Sequence, residues 1–285
     1  MKQASLLLLC LLLRCHAAIS QTVSPPWHST THATLFGIGG VNHLDTYLSP
    51  QEYHGLQVSV LHETFSPTRW FQGRLSAQSL WTFHASTTKN SVKNANELGG
   101  SVTYDHAWHY HWLLPLGDAE SHPTLRLMAG PQVGGLLGFL YNTRNGNNPA
   151  QAQANIHLSA SVAAIMQFSL WKRPFAVRNQ LDVPMIGAMF IPQYGQSYYE
   201  IFSEGNSDHN IAMTTLFNSP CLRNLFTLDF PIGNVIMRAG YMLDIHQAHV
   251  NNIKQHRYSH AFVLGWVKHF TLHKRKNIYQ DGFML

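Results

Sequence analysis

Hydrophobic and polar residues alternate with period two along most of this chain, over stretches longer than ordinary strands. In QANIHLSASVAAIMQFSLW (153–171), Ile156, Leu158, Val162, Met166 and Phe168 share one parity, while Asn155, His157, Ser159 and Ser161 hold the other. Residues 98–112 oppose Val102, Tyr104, Trp108, Tyr110 and Trp112 to Ser101, Thr103, Asp105, His109 and His111. Residues 71–85 set Phe71, Leu75, Trp81 and Phe83 against Gln72, Arg74, Gln78 and His84. Successive side chains point to opposite faces of a strand, so each segment has one apolar and one polar face. The pattern predicts twelve strands, at about 33–44, 55–65, 69–86, 97–113, 124–141, 153–171, 175–190, 198–203, 208–217, 222–230, 234–247 and 257–270. The connections at 66–68, 172–174, 204–207 and 231–233 are short, and most of those between them are longer.

Strands of a soluble sandwich commonly run five or six residues. Several segments here are about three times that, which fits a transmembrane antiparallel β-barrel of about 12 strands: it crosses lipid at a tilt, turns its apolar face outward and closes on itself because hydrocarbon supplies no partner for an open edge. Trp70, Trp81, Trp112, Tyr141, Trp171, Trp266 and Phe270 suit interfacial girdles. Short turns alternating with longer loops place both termini in the periplasm.

Composition narrows the setting. Only 12% of residues are charged, against 12% aromatic, where soluble chains carry about 25% charged residues. Lys2, the apolar run Leu6–Leu13 and Cys15-His16-Ala17 read as a secretory signal over 1–17. A lipid anchor is not expected, since Arg14 precedes Cys15 and Leu9 precedes Cys10. Removing the leader leaves Cys221 alone, so no internal disulfide can form. The remaining plan is an extension over 18–32, the barrel over 33–270 and a periplasmic tail over 271–285. The formal charge of +5 is scattered; HKRKN (273–277) reads as a solvated tail, and no nucleic-acid partner is expected.

The stretch LDTYLSPQEYHG (44–55) begins like a helix, with Ser49 as N-cap, Pro50 at the first helical position and Glu52 completing a capping box, yet Gly55 stops it. We expect a capped turn that folds the first loop over the barrel mouth. This stretch, IPQYGQSYYEIF (191–202), LFTLDFPIGNVIMRAGYMLDIHQAHVNNIKQH (225–256) and YSHAFVLGWVKHF (258–270) together resemble the small Bacteroidota outer-membrane β-barrels grouped as a domain of unknown function. The resemblance spans essentially the mature chain and implies barrel fold and outer-membrane location. It implies no activity and no catalytic residue. Such barrels commonly end on an aromatic, whereas here some 15 residues follow Phe270.

Parity places Arg74, Arg126, Arg178 and Arg238 in the lumen with Asp105, Asp182, Asp229 and Asp244. Buried charges must be paired, so this set is expected to form a network that fills the interior, with a selectivity ring for a small polar solute as the alternative. In HAWHYHW (106–112), His109, His111 and Asp105 share one face, but no further ligand is specified and no metal or cofactor is assigned. A lipid acyl hydrolase would draw on Ser197 and Glu200, or on Ser259 beside His260, though no nucleophile motif surrounds them and Ser259 and His260 point to opposite faces. No catalytic residue is therefore assigned. Asp45, Ser49, Pro50, Glu52, Tyr194, Gly195, Ser197 and Glu200 are expected at the outer rim. Polar loops such as TKNSVKNAN and NTRNGNNPA suit surface exposure. The expected function is a narrow channel or structural surface component in contact with outer-membrane lipid; a lipid acyl hydrolase and a loop-mediated partner or assembly protein stay open, with partner proteins unspecified.

Overall fold

A computed structural model describes residues 29–90, 95–116, 124–146, 148–170, 173–233 and 235–271. The expected leader, the tail beyond Thr271 and Trp171 lie outside these residues. The chain forms β1 (Ser29–Asp45), β2 (Ser49–Pro67), β3 (Leu75–Asn90), β4 (Ala95–Pro115), β5 (Thr124–Asn142), β6 (Ala150–Leu170) and β7 (Arg173–Phe190). A one-turn helix α1 (Tyr198–Phe202) follows, then β8 (Ile211–Thr215), β9 (Cys221–Ile232), β10 (Val235–Val250) and β11 (Ile253–Thr271). Each strand pairs antiparallel with its neighbour, and β11 closes on β1 with Ser29 opposite Thr271. The result is a closed β-barrel of 10 strands, with β8 outside the ring. Both ends of the described barrel thus leave from one rim, the terminal end; the opposite rim is the loop end.

The expected count of twelve is corrected at two places. Residues 198–203 are not a strand: Ser197 Oγ accepts from Glu200 N, and Glu200 reaches back to the Ser197 N–H, a capping box that starts α1. Local side-chain bonding to backbone outweighs the apolar alternation of that segment. The ninth expected strand survives only as β8, paired with Ile186–Phe190 of β7, while β9 pairs with Ala176–Asp182 lower on the same strand. Two short strands therefore share one flank of β7. β1 also begins at Ser29, within the region expected to be an extension.

Connections are shorter than expected because strands continue into the polar segments. β1 and β2 are joined by residues 46–48, so Ser49, Pro50 and Glu52 lie in β2 and no capped turn forms there. Ser49 Oγ accepts from Gln51 N instead. Asn251 and Asn252 turn β10 into β11 with φ of 50° and 60°, the both-positive pattern of a type I′ hairpin, which Asn tolerates. The long connection is 191–210, between β7 and β8.

Facing follows the alternation. Ile156 (67%), Leu137 (64%), Phe262 (70%) and Phe83 (48%) are exposed on the outer wall. Aromatics concentrate on β3 and β4, where Trp81 packs on Tyr104 with ring centroids 4.5 Å apart, beside Phe83 and Trp108. Apolar residues also enter the lumen: Leu35, Leu61, Leu80, Leu225, Met242, Ala261 and Val263 form one buried cluster. A second, Tyr47, Leu48, Leu140, Ile191 and Ile253, stoppers the loop end.

Candidate functional site

The lumen network is built on inward positions of opposing strands. Glu63 of β2 bridges Arg178 of β7 and Arg238 of β10. Arg238 also forks Asp229, with Nε to Oδ1 at 2.6 Å and Nη2 to Oδ2 at 2.8 Å. Gln180 continues the chain: its Oε1 accepts from Arg178 Nη2 (2.6 Å) and its Nε2 donates to Asp182 Oδ1 (3.0 Å). Ser161 Oγ donates to Asp182 Oδ1 at 2.5 Å and meets His109 Nε2 at 2.8 Å. A second knot holds Asp105 between Arg223 Nη1 (2.6 Å) and His157 Nε2 (3.1 Å). A third holds Asp244 beside Arg257 Nη2 (3.1 Å), His246 Nε2 (2.8 Å) and His84 Nε2 (3.9 Å). Forked, charge-assisted bonds of this kind fix side chains in place.

Of the eight charges placed in the lumen from sequence, Asp105, Arg178, Asp182, Asp229, Arg238 and Asp244 join these knots. Arg126 lies beside His111 near the terminal end and, among the described residues, has no ion pair. Arg74 is corrected: it follows a 3-10 turn (Trp70–Gly73) between β2 and β3, its N–H bonded to Phe71 O, and is not in a lumen strand. Sequence reading missed Glu63, Arg223 and Arg257. All three have inward parity, Glu63 sharing its face with Gln57 and Ser59. The HAWHYHW residues separate: His109 meets Ser161, His111 Nε2 meets Ser76 Oγ at 2.6 Å, and Asp105 meets Arg223. Among the described residues, no three His, Cys, Asp or Glu side chains group as metal ligands.

At the loop end the first hairpin does fold inward. Asp45 Oδ1 accepts from Tyr47 N (3.0 Å) and Tyr47 Oη donates to Gln196 O (2.9 Å). Burial pushes the Tyr47 phenol up to about 12, so it stays a donor. Gln196 N bonds Gln193 O at 3.0 Å and Gly195 has φ +83°, the left-handed position that a type II turn gives to glycine. Tyr194 points out of this turn, 68% exposed. Tyr198 Oη donates to Gln151 Oε1 (2.8 Å), tying α1 to β6. Ser197 Oγ donates to Glu200 Oε2 (2.9 Å) and is occupied in the cap. Bonds from the Ser197 N–H and hydroxyl hold the Glu200 carboxyl below its ordinary range. Ser259 is buried on the inner wall. Between the stopper and the lumen knots lies a cavity of about 100 Å³, lined by His43, Asp45, His157, Cys221, His246 and Arg257 with Leu136, Leu140, Met189 and Phe190.

Residues 4–277 match the family described as Protein of unknown function (DUF3316). The chain belongs to this family. No curated protein matches it. Among solved structures, the chain is similar to the outer membrane protease OmpT from Escherichia coli, at 8% identity, with 88% of this chain and 99% of that chain covered and a TM-score of 0.47. It is also similar to the transport unit of the autotransporter AIDA-I from Escherichia coli, at 8% identity over 90% and 95% with a TM-score of 0.42. The translocator domain of autotransporter NalP from Neisseria meningitidis follows at 11% identity over 93% and 97%, TM-score 0.37.

Proposed function

We propose that this DUF3316 protein is an outer-membrane barrel closed to solutes, a structural surface component and not a channel. The observation that carries this reading is the Glu63 bridge to Arg178 and Arg238 across the lumen, flanked by the Leu35–Leu61–Leu80 cluster and topped by the Tyr47–Ile191 stopper. Ten strands enclose a space little wider than the side-chain-filled eight-stranded barrels, far from the aqueous porins of 16 or more. An apolar outer wall on a sheet closed into a ring supports residence in lipid. On this reading a leader over 1–17 exports the chain in a Gram-negative cell of the Bacteroidota lineage, the loop end faces outward and outer-membrane lipid is its constant partner.

The test is planar-bilayer recording of the refolded chain, with barrel formation checked by heat-modifiable gel migration. The closed-barrel reading expects a silent bilayer. Discrete, reproducible conductance from folded protein overturns it in favour of a narrow pore for a small polar solute.

A further inference from the structure

The barrel wall is interrupted beside the cavity. β7 is bonded to β9 up to Asp182–Arg223 and to β8 from Ile186–Thr215 onward. Among the described residues, 183–185 have no ladder partner on that side. The facing connector instead leans on β10, with Asn218 O accepting from His249 N (2.8 Å) and Ser219 Oγ donating to Gln247 O (2.9 Å). Pro184 within the gap carries no N–H, leaving one fewer donor without a partner in hydrocarbon. Phe217 on the connector is 98% exposed, and Met185 and Ile186 are 44% and 43% exposed on the outer wall. Pro184, Met185, Ile186, Thr215 and Cys221 all line the cavity, which therefore reaches both lips of this seam.

At the inner lip three reactive groups stand in a row. Cys221, a free thiol, is the register partner of His246 across β9 and β10, both line the cavity, and Cys221 Sγ donates to Gln247 O at 3.8 Å. His246 Nε2 lies 2.8 Å from Asp244 Oδ1, an ion-pair contact off the line of a hydrogen bond. Asp244 is fixed from behind by Arg257. A thiol beside an imidazole that is oriented by a carboxylate has the parts of an activated nucleophile.

We propose that Cys221, His246 and Asp244 form a thiol acyl-transfer site that draws an acyl-ester lipid through the seam, its chain end among Leu136, Leu140, Met189 and Phe190. Cys221 Sγ, having passed its proton to His246, attacks the ester carbonyl carbon. The carbon–oxygen bond breaks, the lysolipid alkoxide takes the proton from His246, and the acyl group stays as a thioester. Water, deprotonated by His246, then attacks the thioester, releasing the fatty acid and restoring the thiol. The net reaction is hydrolysis, with water as the co-reactant. Asp244 is a positioning residue, and the site rests on the outer-membrane reading above.

The test uses the full chain refolded into phosphatidylethanolamine–phosphatidylglycerol vesicles, with insertion scored by heat-modifiable migration so that failure to inhabit a membrane is read separately. Intact-mass spectrometry of the protein and its lipids is expected to show an acyl adduct on Cys221, removed by neutral hydroxylamine, together with lysolipid. His246→Ala is expected to lower both at least tenfold and to slow alkylation of Cys221 by a membrane-permeant maleimide by a similar factor; Cys221→Ala abolishes the adduct. Folded wild-type protein giving neither adduct nor lysolipid, or lysolipid persisting in Cys221→Ala, overturns the proposal. So does an alkylation rate equal in wild type and His246→Ala.

Discussion

Glu63 and Arg178 stand 115 positions apart in the chain and on strands five places apart in a ten-strand ring, yet their side chains are bonded to each other across the lumen. A tie of this kind braces opposite walls, and it works only because both charges are satisfied: Glu63 takes Arg238 as well. Buried ion pairs give little net stability over an apolar pair, but removing one partner strands the other in a low-dielectric interior.

Glu63→Ala strands two guanidiniums at once. The expected loss is about 3–5 kcal/mol, read as a lower urea midpoint for unfolding in detergent micelles. Glu63→Gln keeps the shape and an acceptor and is expected to fall between wild type and Glu63→Ala. A midpoint unchanged in Glu63→Ala shows that the bridge does not brace the barrel.

Parity made most of this legible. Six of the eight charges assigned to the lumen from sequence lie in the knots, because a two-residue period fixes facing along a whole strand once one face is known. Arg74 failed for a local reason: Phe71 and Gln72 take positive φ of 52° and 55° in the turn before it, so the strand starts only at Leu75. The capping boxes show the limit most clearly. Ser49–Glu52 and Ser197–Glu200 have the same spacing, and only the second forms a helix. The register decides between them, since His54 already pairs with both Asn42 and Lys89 in the sheet. Ladder bonds on two sides outweigh a cap, and no local sequence signal reports them. The inward Leu61 and Leu80 break the polar parity, and their apolar cluster becomes visible only when the strands are arranged in a ring.

Gly134 leaves room for the second knot. A Cβ there would stand 2.0 Å from Asp105 Oδ1 and 2.5 Å from His157 Nε2, and Asp105 is already held by Arg223. Gly134→Ala is therefore expected to cost about 1–3 kcal/mol, the range of overpacked interiors. Gly146, with nothing within 4 Å of its Cβ position, is the control, and Gly146→Ala is expected to leave the urea midpoint within about 0.5 kcal/mol. Equal midpoints for the two variants remove the packing argument.

Tyr47 separates hydrogen bonding from filling in the stopper. Tyr47→Phe loses the bond to Gln196 O at an expected cost of about 1 kcal/mol, whereas Tyr47→Ala empties the cluster with Leu48 and Ile191 and is expected to cost about 3–5 kcal/mol. Limited proteolysis within 191–210 checks both: cleavage is expected to rise slightly in Tyr47→Phe and strongly in Tyr47→Ala. If the loop is cut equally fast in all three proteins, Tyr47 does not hold the stopper down.

Glu200 titrates with its cap. Its carboxylate is favoured in the folded state by bonds from the Ser197 N–H and hydroxyl, so the folded pKa lies below the unfolded one. The cap's contribution is then present above the ordinary glutamate value of about 4.3 and disappears as pH falls through the depressed folded value. Ser197→Ala deletes the hydroxyl but not the backbone donor, so the Glu200 titration followed by carboxyl NMR is expected to move part of the way back up. The same variant tests Ser197 as a nucleophile. Because Ser197 Oγ is committed to Glu200 on one side and accepts from Glu200 N on the other, Ser197→Ala is expected to leave lysolipid release from vesicles unchanged while accelerating proteolysis around α1. Loss of lysolipid release from a barrel that still migrates as folded would transfer the nucleophile from Cys221 to Ser197.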